Sequence, residues 1–292
     1  MKVLNYGSLN YDYVYQVDHI LVGGETLASF SMEMHLGGKG LNQSIALAKA
    51  GIPVYHAGTI GEDGQLFLDA CNQYGVNSDF IRQIPGKSGH TIIQVDQQAQ
   101  NCIMLFGGSN HRQTKEQIDA VISHFEKGDI VLLQNEVNDL DYIIDAAFAK
   151  GMMIVLNPSP YNSSLEKCDL SKVSCFILNE IEGEQMTGEK EGNAILDCLL
   201  KKYPNAKVVL TLGVAGSYYQ EGKKRIHQPV YEVKAVDTTA AGDTFTGYFI
   251  SGIVRGEKIE QILERCAKAS AITVSREGAA DSIPGLDEVE SV

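Results

Sequence analysis

Asp129-Ile-Val-Leu-Leu-Gln134 and Met152-Met-Ile-Val-Leu156 are two short runs, apolar at nearly every position, separated by a helical pattern over roughly 139–150. A strand that is apolar at alternate positions has one wet face; one that is apolar throughout is covered on both, as parallel strands usually are. Parallel neighbours need a long crossover, and a helix supplies it. Asn157-Pro-Ser-Pro160 stops the second run. The unit predicts an α/β protein with a mainly parallel central sheet flanked by helices.

The same rhythm extends outward in both directions. Lys2–Tyr6 is a first strand ending at Gly7-Ser8, and residues 38–51 place Leu41, Ile45, Leu47 and Ala48 at helical spacing. Gly51-Ile-Pro53 closes that helix, with glycine just past its end and proline soon after. Val54–Ile60 is a second strand and Gly64–Tyr74 a second helix. Val173–Leu178 and Ala206–Leu212 repeat the strand pattern, and Tyr231–Val236 is strand-like. Helices follow near 240–254 and 258–275. Two stretches break the alternation. Tyr11–His35 carries short alternating segments around Gly23-Gly24, and 88–106 does the same around Gln97-Gln98-Ala99-Gln100. Both read as β-hairpins without an intervening helix. A small second sheet is expected there, either as a lid over a cleft or as a plain surface insertion. With no repeat, low-complexity tract or charged linker, residues 1–292 read as one domain, with the extra strands within 11–36 and 88–106.

Hydrophobic residues make up 44% and charged residues 21% of 292 positions, an ordinary globular balance. Lys+Arg 24 against Asp+Glu 37 gives a formal charge of −13. So acidic a surface disfavours nonspecific binding to nucleic-acid backbones, yet permits a local pocket for a small phosphate ligand. Cys71, Cys102, Cys168, Cys175, Cys198 and Cys266 form no C-x-x-C pair and have no histidine cluster beside them, so buried free thiols are expected. The start, Met1-Lys-Val-Leu-Asn-Tyr-Gly7, has no secretory apolar core, and no apolar run approaches the ~20 residues of a membrane span. The expectation is a cytoplasmic protein with no membrane partner.

Asp237-Thr-Thr-Ala-Ala-Gly-Asp243-Thr-Phe245 carries the strongest chemical signal. Small residues at Ala240, Ala241 and Gly242 let the backbone approach a ligand, and the helix that starts there offers unpaired N–H groups and a favourable dipole to an anion. Asp243 is then out of place, because one anion is not ordinarily set beside another. Two readings stay open: it takes a proton from an attacking hydroxyl while the N–H groups hold phosphoryl oxygens, or it caps the helix. Gly37-Gly38-Lys39-Gly40-Leu41-Asn42 opens the earlier helix, with Lys39 and Asn42 three apart and able to face one ligand; a turn with a solvated lysine is the alternative. Asn10 and Asp12 follow the first strand, and Glu136 follows Gln134 at the end of another, where ligands of open α/β sheets bind. Local Asx turns would explain Asn10 and Asp12 equally. Gly86-Lys87-Ser88 is no Walker loop, since its first glycine would fall on Ile81, and 58–64 lacks the dinucleotide spacing. The H-R-D and D-F-G motifs of protein kinases are absent.

Taken together, these segments resemble the ribokinase branch of the PfkB carbohydrate kinase family over essentially the whole chain. The resemblance rests on 7–12, Gly23-Gly-Glu-Thr26, Gly37–Gln43, Asn157-Pro158, Asn179-Glu-Ile-Glu182, Thr211-Leu-Gly213, Asp237–Phe245 and Gly278-Ala-Ala-Asp-Ser282-Ile-Pro284, in order and at the right spacing. It implies a ribokinase-like three-layer fold with a β lid and an ATP-dependent kinase, with D-ribose as the acceptor. It implies sugar contacts at Asn10, Asp12, Gly38, Lys39, Asn42 and Glu136, Asp243 as base, and an anion hole at 240–243. ATP would meet Asn179, the turn Thr211-Leu212-Gly213-Val214-Ala215-Gly216, and Gly242, with Glu182 helping to organise Mg²⁺ through water. A monovalent cation, K⁺, would take oxygens of Asp237, Thr239, Thr273, Arg276, Gly278 and Ser282, mostly from the backbone. A homodimer through the lid is implied as well. Tyr11, where a small residue is frequent, and the variable lid segment Ile92–Met104 leave another sugar or a nucleoside as alternatives, and a non-catalytic sugar-binding regulator is the alternative from another class. Little chain remains after Pro284 for a terminal helix.

Overall fold

The computed structural model describes residues 1–98 and 100–292; Ala99, in the turn read at 97–100, lies outside them. The strands are β1 (Val3–Tyr6), β2 (Asn10–Gln16), β3 (Ser31–Gly37), β4 (Val54–Ile60), β5 (Asn77–Gln83), β6 (Gly89–Val95), β7 (Asn101–Phe106), β8 (Ile130–Gln134), β9 (Met153–Asn157), β10 (Cys175–Asn179), β11 (Lys207–Thr211), β12 (Ser217–Glu221) and β13 (Lys224–Gln228). The helices are α1 (Lys39–Lys49), α2 (Gln65–Tyr74), α3 (Lys115–Ser123), α4 (Leu140–Lys150), α5 (Glu180–Thr187), α6 (Gly192–Lys202), α7 (Ala241–Arg255), α8 (Ile259–Val274) and α9 (Leu286–Glu290). Among the described residues one sheet runs β13-β12-β11-β10-β9-β8-β1-β4-β5, parallel from β11 to β5 and antiparallel at β12 and β13.

Alternation along the buried strands builds two cores. Val3, Ile130, Leu132, Val155, Ile177 and Val209 face α1, α7 and α8, whereas Leu4, Val131, Leu133, Leu156, Phe176 and Leu210 face α3, α4 and α6. Each strand therefore loses water on both faces, at about 25 cal/mol per Å² of apolar surface, which is why these runs are apolar throughout. At the carboxyl ends the first of these faces turns polar, with Asn5, His56 and Gln134 all fully buried. Gly247 of α7 lets that helix lie against α1: a Cβ there would meet Ala46 Cβ at 2.5 Å and the Leu47 amide nitrogen at 2.8 Å. The two helix starts are thereby brought together over the carboxyl edge of the sheet.

The interruptions form a second sheet, ordered β3-β2-β6-β7. β6 and β7 are a hairpin, and β2 and β3 also pair antiparallel without an intervening helix, but across the long connection 17–30, so the turn at Gly23-Gly24, closed by Glu25 N donating to Val22 O at 3.2 Å, does not itself set their register. Tyr231–Val236 is not a strand. Among the described residues it has no partner strand, and its Val233 and Val236 side chains are exposed, because β-structure requires a neighbour as well as suitable residues. The polar edge hairpin β12–β13, β5, α3, α5 and α6 carry weaker patterns and escape the sequence reading, and the few residues after Pro284 do form the short α9. All six cysteines are free, but only Cys71, Cys175 and Cys266 are buried; Cys102 is exposed on β7, and Cys168 and Cys198 are half-buried. No helix among the described residues is long and apolar enough to cross a membrane.

Candidate active site

The strands β1, β8, β9, β10 and β11 all end on one edge, and nearly every residue singled out in the sequence lies there. Asp243 does not cap its helix. The residue at the cap position of α7 is Ala240, in the left-handed region at φ 59, and no side chain caps the helix. Asp243 is instead buried in the first turn and reaches across to α1, where Oδ2 accepts from Asn42 Nδ2 at 3.2 Å and Oδ1 from Gln43 Nε2 at 2.9 Å. Among the described residues the N–H groups of Gly242 and Asp243 have no acceptor, whereas those of Ala241 and Thr244 bond to Thr238 and Ala240 carbonyls. A buried carboxylate thus stands beside two free N–H donors at the positive end of a 15-residue helix. Holding Ala240, a non-glycine residue, at positive φ costs on the order of 1 kcal/mol, and that bend is what aims the helix start.

Lys39 opens α1 from Gly38, whose φ of 91 suits glycine. Its desolvation favours the neutral amine, but Asp243, Glu136 and Glu182 together hold the ammonium above the usual lysine value. Glu136 behaves differently. Burial pushes its carboxyl up, and Lys39, the Ser8 hydroxyl and the Lys39 N–H only partly offset that while Asp243 adds to it. The two shifts do not mirror each other because one cation is shared among three carboxylates. Ser8 Oγ donates to Glu136 and accepts from Gly40 N at 3.2 Å, and Lys39 N donates to Glu136 at 3.0 Å, so α1 is pinned to the end of β8. Gly40 permits this approach, since a Cβ there would press on the Ser8 backbone.

Asn10 and Asp12 enter from β2. Asn110 Nδ2 donates to Asn10 Oδ1 at 2.7 Å, which leaves the Asn10 amino group as the free end. Asp12 accepts from Thr91 Oγ1 at 2.5 Å; burial raises its pKa, against the opposing pull of that bond and of His35. Asn42 Oδ1 is buried with no partner, an acceptor in want of a hydroxyl. Along this edge Asn179 and Thr211 are neighbours in register. Asn179 and Glu182 are paired in a capping box at the start of α5, Asn179 Oδ1 accepting from Glu182 N and Glu182 Oε2 from Asn179 N, so each retains one free polar atom. The 211–216 turn is held by Leu212 N donating to Gly216 O at 2.8 Å, with Val214 almost fully exposed at its tip. Asp237 ties two segments together, accepting from Thr239 N at 2.9 Å and from Gly278 N at 3.0 Å. The Arg276 side chain turns away to Glu288, and the Thr273 hydroxyl is occupied by Thr244 and Ala269, so neither side chain is directed to a ligand. Ser282 Oγ donates to Ala279 O. Among the described residues no group of three or more His, Cys, Asp or Glu is arranged so that it could hold a metal ion.

The sequence reading passed over Ser8, Gln43, Asn110 and Gln134. Gln43 had a usable signal, for Lys39, Asn42 and Gln43 lie at i, i+3 and i+4 on one face of α1. The others are visible only when separate strands meet.

Comparison with known proteins points to one family. The pfkB family carbohydrate kinase pattern matches residues 1–286. The ribokinase of Staphylococcus aureus is 34% identical, over 100% of this chain and 99% of its own, and that of Schizosaccharomyces pombe is 32% identical, over 99% and 97%. The structure of Arabidopsis thaliana ribokinase complexed with ribose and ATP superposes with a TM-score of 0.86 at 28% identity, covering 99% of this chain and 97% of that one.

Proposed function

This chain belongs to the pfkB family of carbohydrate kinases, and from that premise we propose that it is an ATP-dependent ribokinase, converting D-ribose and ATP to ribose 5-phosphate and ADP in the cytoplasm. The observation that carries the reading is Asp243, which leaves its own helix uncapped and sits beside two unpartnered N–H groups. In the proposed reaction Asp243 accepts the proton of the terminal hydroxyl as that oxygen attacks the γ-phosphorus and the bond to the β-phosphate oxygen breaks. The N–H groups of Gly242 and Asp243, within the anion hole expected at 240–243, and the Lys39 ammonium face the charge on the transferring group, preorganised before it develops. Asn10, Asp12, Gly38, Lys39, Asn42 and Glu136 would hold the sugar. The buried, unpartnered Asn42 Oδ1 supports this, since a ligand hydroxyl would remove the cost of burying it. Alignment of the two reactants contributes up to ~7–11 kcal/mol to such a transfer.

The nucleotide would lie against Asn179, the 211–216 turn and Gly242. Magnesium arriving with ATP would neutralise phosphate charge, and Glu182, which has one oxygen left over from its capping box, would help to hold it through water. A monovalent cation would take oxygens from the loops joined by Asp237 and Gly278, at Asp237, Thr239, Thr273, Arg276, Gly278 and Ser282. We take residues 1–292 as one kinase domain whose small sheet closes over the sugar and pairs with a second copy. Apolar residues run across that sheet in register, Met34–Tyr13–Ile92–Met104, with Met34 and Met104 exposed. A panel of ribose, deoxyribose, fructose and nucleosides with coupled ADP detection tests the reading. Ribose should give the highest kcat/KM; turnover of another acceptor without ribose would end the ribose assignment.

A further inference from the structure

Beneath Asp243 lies a chain of buried amides that the reaction as written does not use. Gln43 is 1% exposed and Gln134 and Asn5 are fully buried. Gln43 Nε2 donates to Asp243 Oδ1 at 2.9 Å and, more weakly, to Asn157 Oδ1 at 3.3 Å. Gln134 Nε2 donates to Gln43 Oε1 at 2.6 Å and to Asn5 Oδ1 at 2.9 Å. Asn5 Nδ2 donates to Gly40 O at 2.6 Å and to Ser44 Oγ at 2.8 Å, and Ser44 Oγ bonds His56 Nδ1 at 2.8 Å.

The order of donors and acceptors has one polarity, and a main-chain group sets it. A carbonyl only accepts, so Gly40 O obliges Asn5 to present its nitrogen there and its oxygen to Gln134. Gln134 must then offer nitrogen, Gln43 must offer oxygen in return, and the Gln43 nitrogen is left aimed at Asp243. Reversing any one amide would set like against like, donor facing donor or acceptor facing acceptor, among side chains that are almost fully buried. We propose that Gln43, locked by Gln134, is a positioning residue that fixes the carboxylate of Asp243 so that one oxygen stays turned to the attacking hydroxyl. This rests on the reading of Asp243 as base. The two oxygens accept from Gln43 and Asn42 respectively, and the lone pairs left over are the ones a substrate hydroxyl can reach.

The test uses the full chain with whichever acceptor the wild type turns over fastest, so that an error in the sugar assignment leaves it intact, and Asp243→Asn is run alongside to judge the base separately. Gln43→Met removes the donor at nearly constant volume. Its kcat should fall about 10–100-fold with sugar KM within about threefold, and the acid limb of the kcat profile should move up by about one pH unit as the carboxylate loses its hydrogen bond. Gln134→Leu, which keeps Gln43 but frees it, should show the same pattern at about one tenth the size. If Gln43→Met does not fold, Gln43→Glu decides, because it keeps the oxygen that Gln134 needs while setting a second carboxylate against Asp243; its acid limb should move up further. A Gln43 variant that folds and retains the wild-type pH profile and kcat overturns the proposal, as does a loss of kcat with an unmoved profile, which is what a purely structural role would give.

Discussion

Replacing Asp243 by asparagine removes one negative charge and the proton-accepting oxygen while leaving a side chain of the same shape. The surroundings can absorb that change. The introduced amide would keep an oxygen for Gln43 Nε2, now 2.9 Å from Oδ1, and would turn its new amino group toward Asn42. Two amino groups would then face each other, but Asn42 Oδ1 has no partner, so a flip of that amide restores a donor–acceptor pair. The variant should fold with stability close to the wild type, since the charge-assisted bonds it loses are balanced in part by no longer burying a carboxylate. Affinity for ribose should weaken by about fivefold at most, one hydrogen bond's worth. Turnover should fall by at least about 10²-fold and as much as about 10⁴-fold, the range for a lost general base, which is about 3–5.5 kcal/mol of barrier. Coupled ADP detection gives kcat, calorimetric titration gives ribose affinity, and thermal unfolding checks the fold. Turnover within tenfold of wild type, in a folded variant that binds ribose, would refute the reasoning.

Gly247→Ala should force α7 off α1, because its Cβ meets Ala46 backbone carbon at 2.7 Å as well as the Ala46 side chain. The expected result is about 1–3 kcal/mol of lost stability in denaturant titration, with a drop in kcat as Asp243 separates from Asn42 and Gln43. Burial holds the pKa of His56 at about 4 in the fold against an ordinary 6.5. The unfolded chain therefore takes up a proton first as pH falls, and this group's stabilisation, complete above 6.5, is lost on the way down to about 4. Wild type should lose about 3 kcal/mol more than His56→Gln over that window. On the small sheet, Met104→Glu places a charge in the apolar row and should give a particle of one 31.8 kDa chain in sedimentation where the wild type gives two; a wild-type monomer would dispose of the proposed dimer.

Two apolar runs around 130 and 154, and their echoes at 3, 54, 175 and 207, were enough to specify a parallel sheet from sequence, because a strand covered on both faces must be apolar at every position. Order and spacing of the glycine-rich and Asp237–Asp243 segments likewise marked the candidate site, since close backbone approach and a helix start need those residue types wherever they occur. What sequence left open at Asp243 was a question of direction. A cap and a base are the same residue in the same turn, and only the crossing of α7 on α1, permitted by Gly247, turns the carboxylate to Asn42 and Gln43. The same limit explains Gln43, Gln134 and Asn5, which lie on three elements and acquire a common polarity only when Gly40 O orients the first of them. It also explains Tyr231–Val236, strand-like in composition yet without a neighbour. Periodicity and motif are properties of one segment and are written in it. Pairing, amide orientation and the field that holds Lys39 charged are sums over groups far apart in the chain, and they take their values only once the fold has set the distances.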